Sequence, residues 1–155
     1  MLIQLLTAIH VTVVVLWIGG VSFVTIIIFP MLLKMEESLE KVLMFQRVES
    51  VFARLARYYA WIVGPTGFAI LYLKGSLLHL FTSKAIGPSI MLLVWIFYTL
   101  VLTFEKKVFG ILFSDPKKYN AEKVFGVLAR GHWIIMGVSL AAVFFGVFFG
   151  HADKF

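Results

Sequence analysis

The sequence contains no cysteine and few charged residues, and both absences restrict what the protein can be. Without cysteine the chain cannot form disulfides, thiolate metal sites, all-cysteine iron–sulfur clusters or a covalent c-type haem attachment. Charged residues make up only 14% of the 155 residues, whereas hydrophobic residues make up 61%. With a mean hydropathy of +0.99, the chain has too little polar surface for a water-soluble globule of this length. We therefore expect an integral membrane protein whose main partner is the lipid bilayer.

Four uncharged stretches account for the excess of apolar residues: 1–33, 58–73, 85–104 and 131–152. A bilayer core needs about 20 apolar residues per helix. The first, third and fourth stretches are long enough alone, and the second is long enough if its helix continues past Lys74 toward His79. The first stretch has no basic leader and no small-residue cleavage site, so we expect it to stay as a span. The sequence thus predicts one all-α domain over residues 1–155, an integral membrane four-helix bundle.

Basic residues are concentrated in two segments of the chain. Segment 34–57 contains five and segment 105–130 contains six, while the rest of the chain has three, Lys74, Lys84 and Lys154. The positive-inside rule places the two basic segments in the cytoplasm and both termini outside. We expect a multi-pass protein of the inner, or plasma, membrane. The net charge of +6 then reflects topology, so nucleic acid is not expected as a partner, and homo-oligomer formation stays open.

This topology sorts the four histidines by depth. Counting about 20 residues outward from Pro30 puts His10 near the outer interface. His79 falls in the outer connection and His151 follows the outer end of the fourth helix, whereas His132 lies at the inner end of that helix. His10 and His132 should differ in depth by on the order of 20 Å, too far to hold one iron. We therefore expect His10 to pair with His151 or His79, and His132 to serve a second, inner site.

Imidazoles in a chain without thiolates can hold haem iron, copper or zinc. Haem b suits a four-helix membrane protein, because axial histidines can hold it between helices where small residues give the macrocycle room. Trp17 follows His10 by seven residues and shares its helix face, and Gly20 flanks that face. Trp17 and Gly20 are therefore candidate haem-contacting residues.

Haem propionates would need cations near the ends of the helices. Arg54 and Arg57 form an i, i+3 pair whose guanidiniums could match the propionates of an inner haem, and Lys74 and Lys84 are available to an outer one. The same arginines could instead be plain positive-inside anchors. A histidine at membrane depth can also simply bond to a serine or a backbone carbonyl, and the glycines can mark helix contacts. The sequence leaves these alternatives open.

A short pattern within about the first 75 residues resembles known membrane families. It consists of His10, Leu16-Trp17-Ile18-Gly19-Gly20, Val51-Phe52-Ala53-Arg54-Leu55-Ala56-Arg57 and Thr66-Gly67. This pattern is similar to that of the copper-resistance protein D (CopD) superfamily. A histidine seven residues before a tryptophan, with glycine soon after, also resembles the small membrane protoporphyrinogen oxidases of the HemJ type, which are thought to carry haem. The resemblance implies that His10 is the functional histidine.

Together these features predict a membrane b-type cytochrome that transfers electrons through one or two non-covalently bound haems. The iron ligands would be His10, with His151 or His79 opposite it, and His132 for an inner haem. Quinol or another small reductant is the expected partner, and any enzymatic activity would be that of a membrane haem oxidoreductase. One alternative is a carrier of copper or another metal ion that uses His10, His79, His151 and methionines. The other alternative is a haem-dependent protoporphyrinogen oxidase.

Overall fold

The computed structural model describes residues 1–36, 38–82, 85–112 and 121–151, and all regular structure in these ranges is helical. Four long helices follow one another along the chain. They are α1 (Leu2–Lys34), α2 (Ser38–Leu73), α3 (Ile86–Leu112) and α4 (Ala121–His151), and a short 3₁₀ helix (Leu77–His79) connects α2 to α3. The predicted all-α class is confirmed.

Helix α1 runs without a break past a proline because one of its turns is widened. Residues Val24–Ile28 form a π turn between the α-helical parts Leu2–Phe23 and Phe29–Lys34. Pro30 cannot donate a backbone hydrogen bond, and a π turn directly before it lets the helix continue without that bond. The Thr25 hydroxyl, which is fully buried, donates to the Val21 carbonyl at 2.7 Å.

Within the part of the chain that the structure describes, three helices are long and apolar enough to cross a membrane: Leu2–Lys34, Ile86–Phe104 and Val124–Phe149. Helix α2 is not among them, because its uncharged part covers only residues 58–73. The predicted continuation of this helix toward His79 is wrong. After Leu73 the chain turns at Gly75, whose φ of +66° is a left-handed conformation that ends the helix.

A layer of aromatic and polar side chains joins three of the helices. Tyr98 on α3 stacks against Trp17 on α1 with ring centroids 4.8 Å apart. Its hydroxyl forms a buried hydrogen bond of 2.5 Å with Ser139 Oγ on α4. Ser139 also donates to the Ile135 carbonyl, so it accepts the Tyr98 proton. We call Trp17, Tyr98 and Ser139 the middle layer, and it serves below as the reference for position along the helices.

A second aromatic cluster lies at the end of the molecule where α1 ends and α2 begins. Phe29, Phe45 and Phe125 bring α1, α2 and α4 together, with ring centroids 5.9 Å apart for Phe29–Phe45 and 5.3 Å for Phe45–Phe125. Lys41 is buried beside them, with its Nζ 6.0 Å from the centre of the Phe125 ring. A cation over an aromatic face gains electrostatic stabilisation, which helps to hold this lysine inside. Phe45 therefore lies on the face of α2 that packs against α1 and α4.

Glycines allow two close helix contacts. A Cβ placed on Gly87 of α3 would lie 3.0 Å from the Gly146 carbonyl oxygen of α4, so these backbones touch. A Cβ placed on Gly64 of α2 would overlap the indole of Trp95 on α3. The Trp95 indole is fixed there because its Nε1–H donates to the Ala60 carbonyl at 3.0 Å.

The Gly64 contact predicts opposite effects for two glycine-to-alanine substitutions. Gly64→Ala should destabilise the protein by about 1–3 kcal/mol, because Trp95 cannot move without losing its hydrogen bond. Gly137→Ala, at a helical glycine with open space around its Cα, should be neutral or stabilising by up to about 1 kcal/mol. Thermal unfolding in detergent, followed by circular dichroism, measures both. Equal melting temperatures in the two variants would contradict the close α2–α3 contact.

Candidate histidine sites

His10 faces α2 and contacts two consecutive residues of that helix. Its Nδ1 lies 3.0 Å from Thr66 Oγ1. Its Cε1 lies 3.1 Å from the place where a Cβ on Gly67 would be, so the missing side chain of Gly67 leaves room for the ring. The imidazole is half-buried between the two helices.

The hydrogen bonds of Thr66 fix the protonation pattern of His10. Thr66 Oγ1 lies 2.6 Å from the Ile62 carbonyl and 3.1 Å from the Val63 carbonyl, and carbonyls only accept. A hydroxyl has one proton, and we infer that Thr66 donates it to a carbonyl of α2 and accepts from His10. In this arrangement Nδ1 of His10 carries the hydrogen, and Nε2 keeps a lone pair. This is the state in which an imidazole binds a metal.

His10 contacts the middle of the uncharged part of α2. Thr66 is nine residues past Arg57 and eight residues before Lys74, midway along the uncharged part of α2. On the same two helices, Gly20 faces Phe52, on the charged side of Arg57. The depth of His10 in a bilayer stays a prediction.

His132 shows the same protonation pattern at a different level. Its Nδ1 lies 3.1 Å from the Leu128 carbonyl of the preceding turn of α4, so Nδ1 must donate and Nε2 is again the nitrogen with a lone pair. The ring packs against Phe29 of α1, with centroids 4.6 Å apart. His132 is therefore oriented between α1 and α4.

His10 and His132 belong to separate sites. His10 lies seven residues before Trp17 on α1, and His132 lies seven residues before Ser139 on α4. Because α1 and α4 run in opposite directions, the two histidines are on opposite sides of the middle layer. His132 packs against Phe29, which is nineteen residues, about 28 Å of helix, past His10 on α1. This separation excludes a metal ion shared by both.

The other two histidines lie toward the far end of the molecule. His79 is exposed on the short helix, where the Thr82 hydroxyl donates to its backbone carbonyl. His151 is the last residue of α4, and its side chain lies outside the described residues, as does Lys84. Within the described ranges, no three histidine, aspartate or glutamate side chains come together as a metal-binding group. The predicted pairing of His10 with His79 or His151 stays a prediction.

Trp17 and Gly20 are used for helix packing. Trp17 is buried against Tyr98 in the middle layer. A Cβ on Gly20 would lie 2.6 Å from the Phe52 ring, so a phenylalanine of α2 fills the notch that was predicted to face a haem. The helix face that carries His10 is also the face that packs against α2 and α3, and a sequence does not distinguish a core contact from a cofactor contact.

The two arginines lie on α2, whereas His132 packs against Phe29 of α1. Arg54 is exposed, and Arg57 is half-buried and lines a cleft of about 700 Å³ between α2 and α3. The expectation that both arginines reach the propionates of an inner haem stays a prediction. None of the described residues that line the cleft is a histidine.

Sequence reasoning did not assign the polar partner of His10. Thr66 was part of a family-like pattern, but a threonine in a helix ordinarily bonds to its own backbone, as Thr7 and Thr99 do here. A threonine followed by glycine on the helix that faces a membrane histidine is the signal that could have identified the contact. No protein-family model, curated protein or solved structure matches this chain.

The bond to Thr66 predicts the tautomer of His10. In protein labelled with ¹⁵N-histidine, at alkaline pH where imidazole is neutral, His10 should show the Nδ1–H tautomer. Thr66→Val removes the acceptor and should produce a mixture of tautomers, whereas Thr66→Ser should preserve the native signal. Thr7→Val is the matched control, because it removes an equivalent hydroxyl of α1 that bonds to the Ile3 carbonyl. An Nε2–H signal for His10 in the native protein would refute the assignment.

Proposed function

We propose that this protein is a four-helix integral membrane cytochrome that binds haem b through His10 and transfers electrons. The observation that supports this most is that His10 and His132 make the same kind of hydrogen bond. Each has its Nδ1 hydrogen-bonded to an acceptor, Thr66 Oγ1 or the Leu128 carbonyl, and each keeps Nε2 as a lone-pair donor. Metal-bound histidines characteristically donate their other ring N–H to such an acceptor, which fixes the ring and raises ligand basicity.

The donor set suits haem b better than the other metals considered. Neutral imidazole is a normal axial ligand of haem iron, and a chain without cysteine can hold the haem only non-covalently. A copper or zinc site would ordinarily need three or four protein ligands together, and no such group is found among the described residues. The proposed haem ligands are therefore single histidines on separate helices.

His151 is the histidine of α4 that we propose opposite His10. It lies twelve residues past Ser139, so it is on the same side of the middle layer as His10. His132 is on the other side and would serve a second haem. The pattern around His10 and Trp17 that resembles CopD-like and HemJ-like proteins supports the choice of His10 as the first ligand.

The chain's own residues would hold and shield the cofactor. Thr66 keeps the His10 imidazole in the ligand tautomer, and Gly67 leaves space for that ring. The middle layer, with the packed rings of Trp17 and Tyr98, lies between the two histidine levels. When bound, haem supplies one-electron redox chemistry at its iron.

The proposed setting is the inner, or plasma, membrane, with four spans and both termini outside. The uncharged part of α2 contains 16 residues, about 24 Å of helix, which is shorter than a bilayer core of about 30 Å. Arg57 and Lys74 at its two ends can extend their side chains to the headgroups, so that α2 crosses with local thinning of the bilayer. The basic segments 34–57 and 105–130 would then lie in the cytoplasm.

Haem binding predicts a red protein with defined losses in single variants. The purified protein should show a Soret band, should give reduced α and β bands, and should release protohaem on pyridine extraction. His10→Ala should abolish one haem signal, and His132→Ala should act independently if a second haem is present. Thr66→Val should weaken haem retention by about 10- to 100-fold, while Thr66→Ser retains it.

Circular dichroism of each variant provides the folding control, together with Thr7→Val as a substitution away from the site. Metal analysis that finds copper or zinc in stoichiometric amounts, without iron, would refute the cytochrome and favour a metal carrier. Oxidation of protoporphyrinogen by the haem-loaded protein would favour the oxidase alternative. Unchanged spectra in both histidine variants would refute the ligand assignment.

The topology predicts which positions are accessible from each side. Because the chain has no native cysteine, single cysteines can be labelled without background. Leu78→Cys, at a residue 93% exposed in the α2–α3 connection, should react with an impermeant maleimide in intact cells. Ser50→Cys, in the basic half of α2, should react only after permeabilisation. The reverse pattern would invert the orientation, and labelling of both from outside would mean that α2 does not span.

A further inference from the structure

The cleft between α2 and α3 is lined by residues that do not contact His10 or His132 in the contacts described above. It has a volume of about 700 Å³ and extends along α2 from Arg57 to Phe68, about 16 Å. Three aromatic side chains line it, Trp61 and Phe68 from α2 and Trp95 from α3. Trp61 is 78% exposed, which places the opening of the cleft on the outer surface of the helix pair.

The backbone of α2 offers a hydrogen-bond acceptor to this cleft. In an α-helix the carbonyl of residue 61 accepts from the N–H of residue 65, but residue 65 is proline and has no N–H. The Trp61 carbonyl therefore lacks its helical donor. Trp61 and Pro65 both line the cleft, and we infer that the carbonyl between them faces it. A carbonyl that loses its partner at membrane depth gains from a donor supplied by a ligand.

The side chains of α3 that line the cleft are also acceptors. Thr99 Oγ1 donates its proton to the Trp95 carbonyl at 2.8 Å, and Thr103 Oγ1 donates to the Thr99 carbonyl at 2.7 Å. Each oxygen can accept a further bond while its proton stays on the backbone carbonyl, and donating that proton to a ligand would break the bond to the carbonyl. The indole N–H of Trp95 is already bonded to the Ala60 carbonyl. The groups in the middle of the cleft therefore act as hydrogen-bond acceptors, and a ligand with hydroxyl donors would match them.

We propose that this cleft binds a lipophilic hydroquinone, the reduced form of a membrane quinone. Its hydroxyls would donate to the Trp61 carbonyl and to Thr99 Oγ1, its ring would lie among the aromatic walls, and its tail would extend into the bilayer. Arg57 lies at one end of the cleft, beyond these acceptors. The proposal rests on the proposed function, in which such a molecule is the electron donor.

The hydrogen-bonding pattern selects this ligand over the other lipids of the membrane. Phospholipid esters and phosphates present only acceptors, which would face the acceptors of Thr99 and Trp61. A quinone likewise presents two carbonyl acceptors. A hydroquinone differs from its quinone by the two protons that these sites need, so the cleft should bind the reduced form more tightly. One hydrogen bond lost in this setting corresponds to about three- to tenfold in affinity.

The test compares the two redox forms in the purified full-length protein. A decyl-benzohydroquinone and the matching decyl-benzoquinone are titrated calorimetrically under argon, with titrations into empty detergent micelles subtracted. The hydroquinone should bind at least three- to tenfold more tightly. Thr99→Val removes one acceptor and should weaken hydroquinone binding by three- to tenfold, with little effect on the quinone. Thr7→Val is the matched control, because it removes an equivalent hydroxyl from α1.

Pro65→Ala is the second variant, and it acts by restoring a bond. Alanine supplies the N–H that satisfies the Trp61 carbonyl, so the helix should be at least as stable while hydroquinone affinity falls by three- to tenfold. Equal affinity for the two redox forms would overturn the proposal, as would unchanged binding in both variants. Displacement of the hydroquinone by an equimolar amount of phosphatidylglycerol would also overturn it, by assigning the cleft to a phospholipid.

The binding measurement does not require bound haem, so it tests the cleft separately from the proposed cytochrome. Haem-free protein that binds hydroquinone with the expected preference would support the cleft and count against the cytochrome. A red protein whose haem depends on His10, but which binds the two redox forms equally, would support the cytochrome and count against the hydroquinone site in the cleft.

Discussion

The hydrogen bond between His10 and Thr66 is the interaction on which the arrangement of the candidate site depends. It links α1 to the middle of the uncharged part of α2, and it requires the Thr66 proton to be directed to the backbone of its own helix. A shift of α2 by one residue along α1 would replace this pair by a histidine facing an apolar or glycine residue. An imidazole without a partner in such surroundings is costly, so the bond fixes the register of the two helices as well as the tautomer.

The middle layer has a complementary role. Tyr98 brings α1 and α4 together through one ring contact and one hydrogen bond, and Ser139 completes the chain by donating to its own helix. Every polar group in this sequence of bonds has a partner, which is the condition under which buried polar groups specify one packing arrangement. Because the layer is filled by Trp17 and Tyr98, it keeps the levels of His10 and His132 apart.

The helical class, the three long spans and the separation of His10 from His132 could be predicted because they depend on length and composition alone. The end of α2 depends on a local turn at Gly75, which competes with a still-apolar continuation. The roles of Trp17 and Gly20 depend on which neighbour covers a helix face, and no single sequence contains that information. The place of Arg57 in a cleft with α3 could not be predicted, since helical periodicity gives a face without the identity of the helix packed against it.

Four consecutive residues of α2 contact both the cleft and His10. Gly64 and Pro65 face α3 and the cleft, whereas Thr66 and Gly67 face His10 on α1. In a helix, successive residues differ by about 100° in direction, so a run of four can serve two neighbouring helices at one level. The cleft and His10 are therefore separated by little more than the body of α2, which has a diameter of about 10 Å. Proline at position 65 frees an acceptor on one side of the helix, and threonine at position 66 fixes an imidazole on the other. If the cleft holds an electron donor and His10 holds haem, this short segment is the part of the chain that places them next to each other.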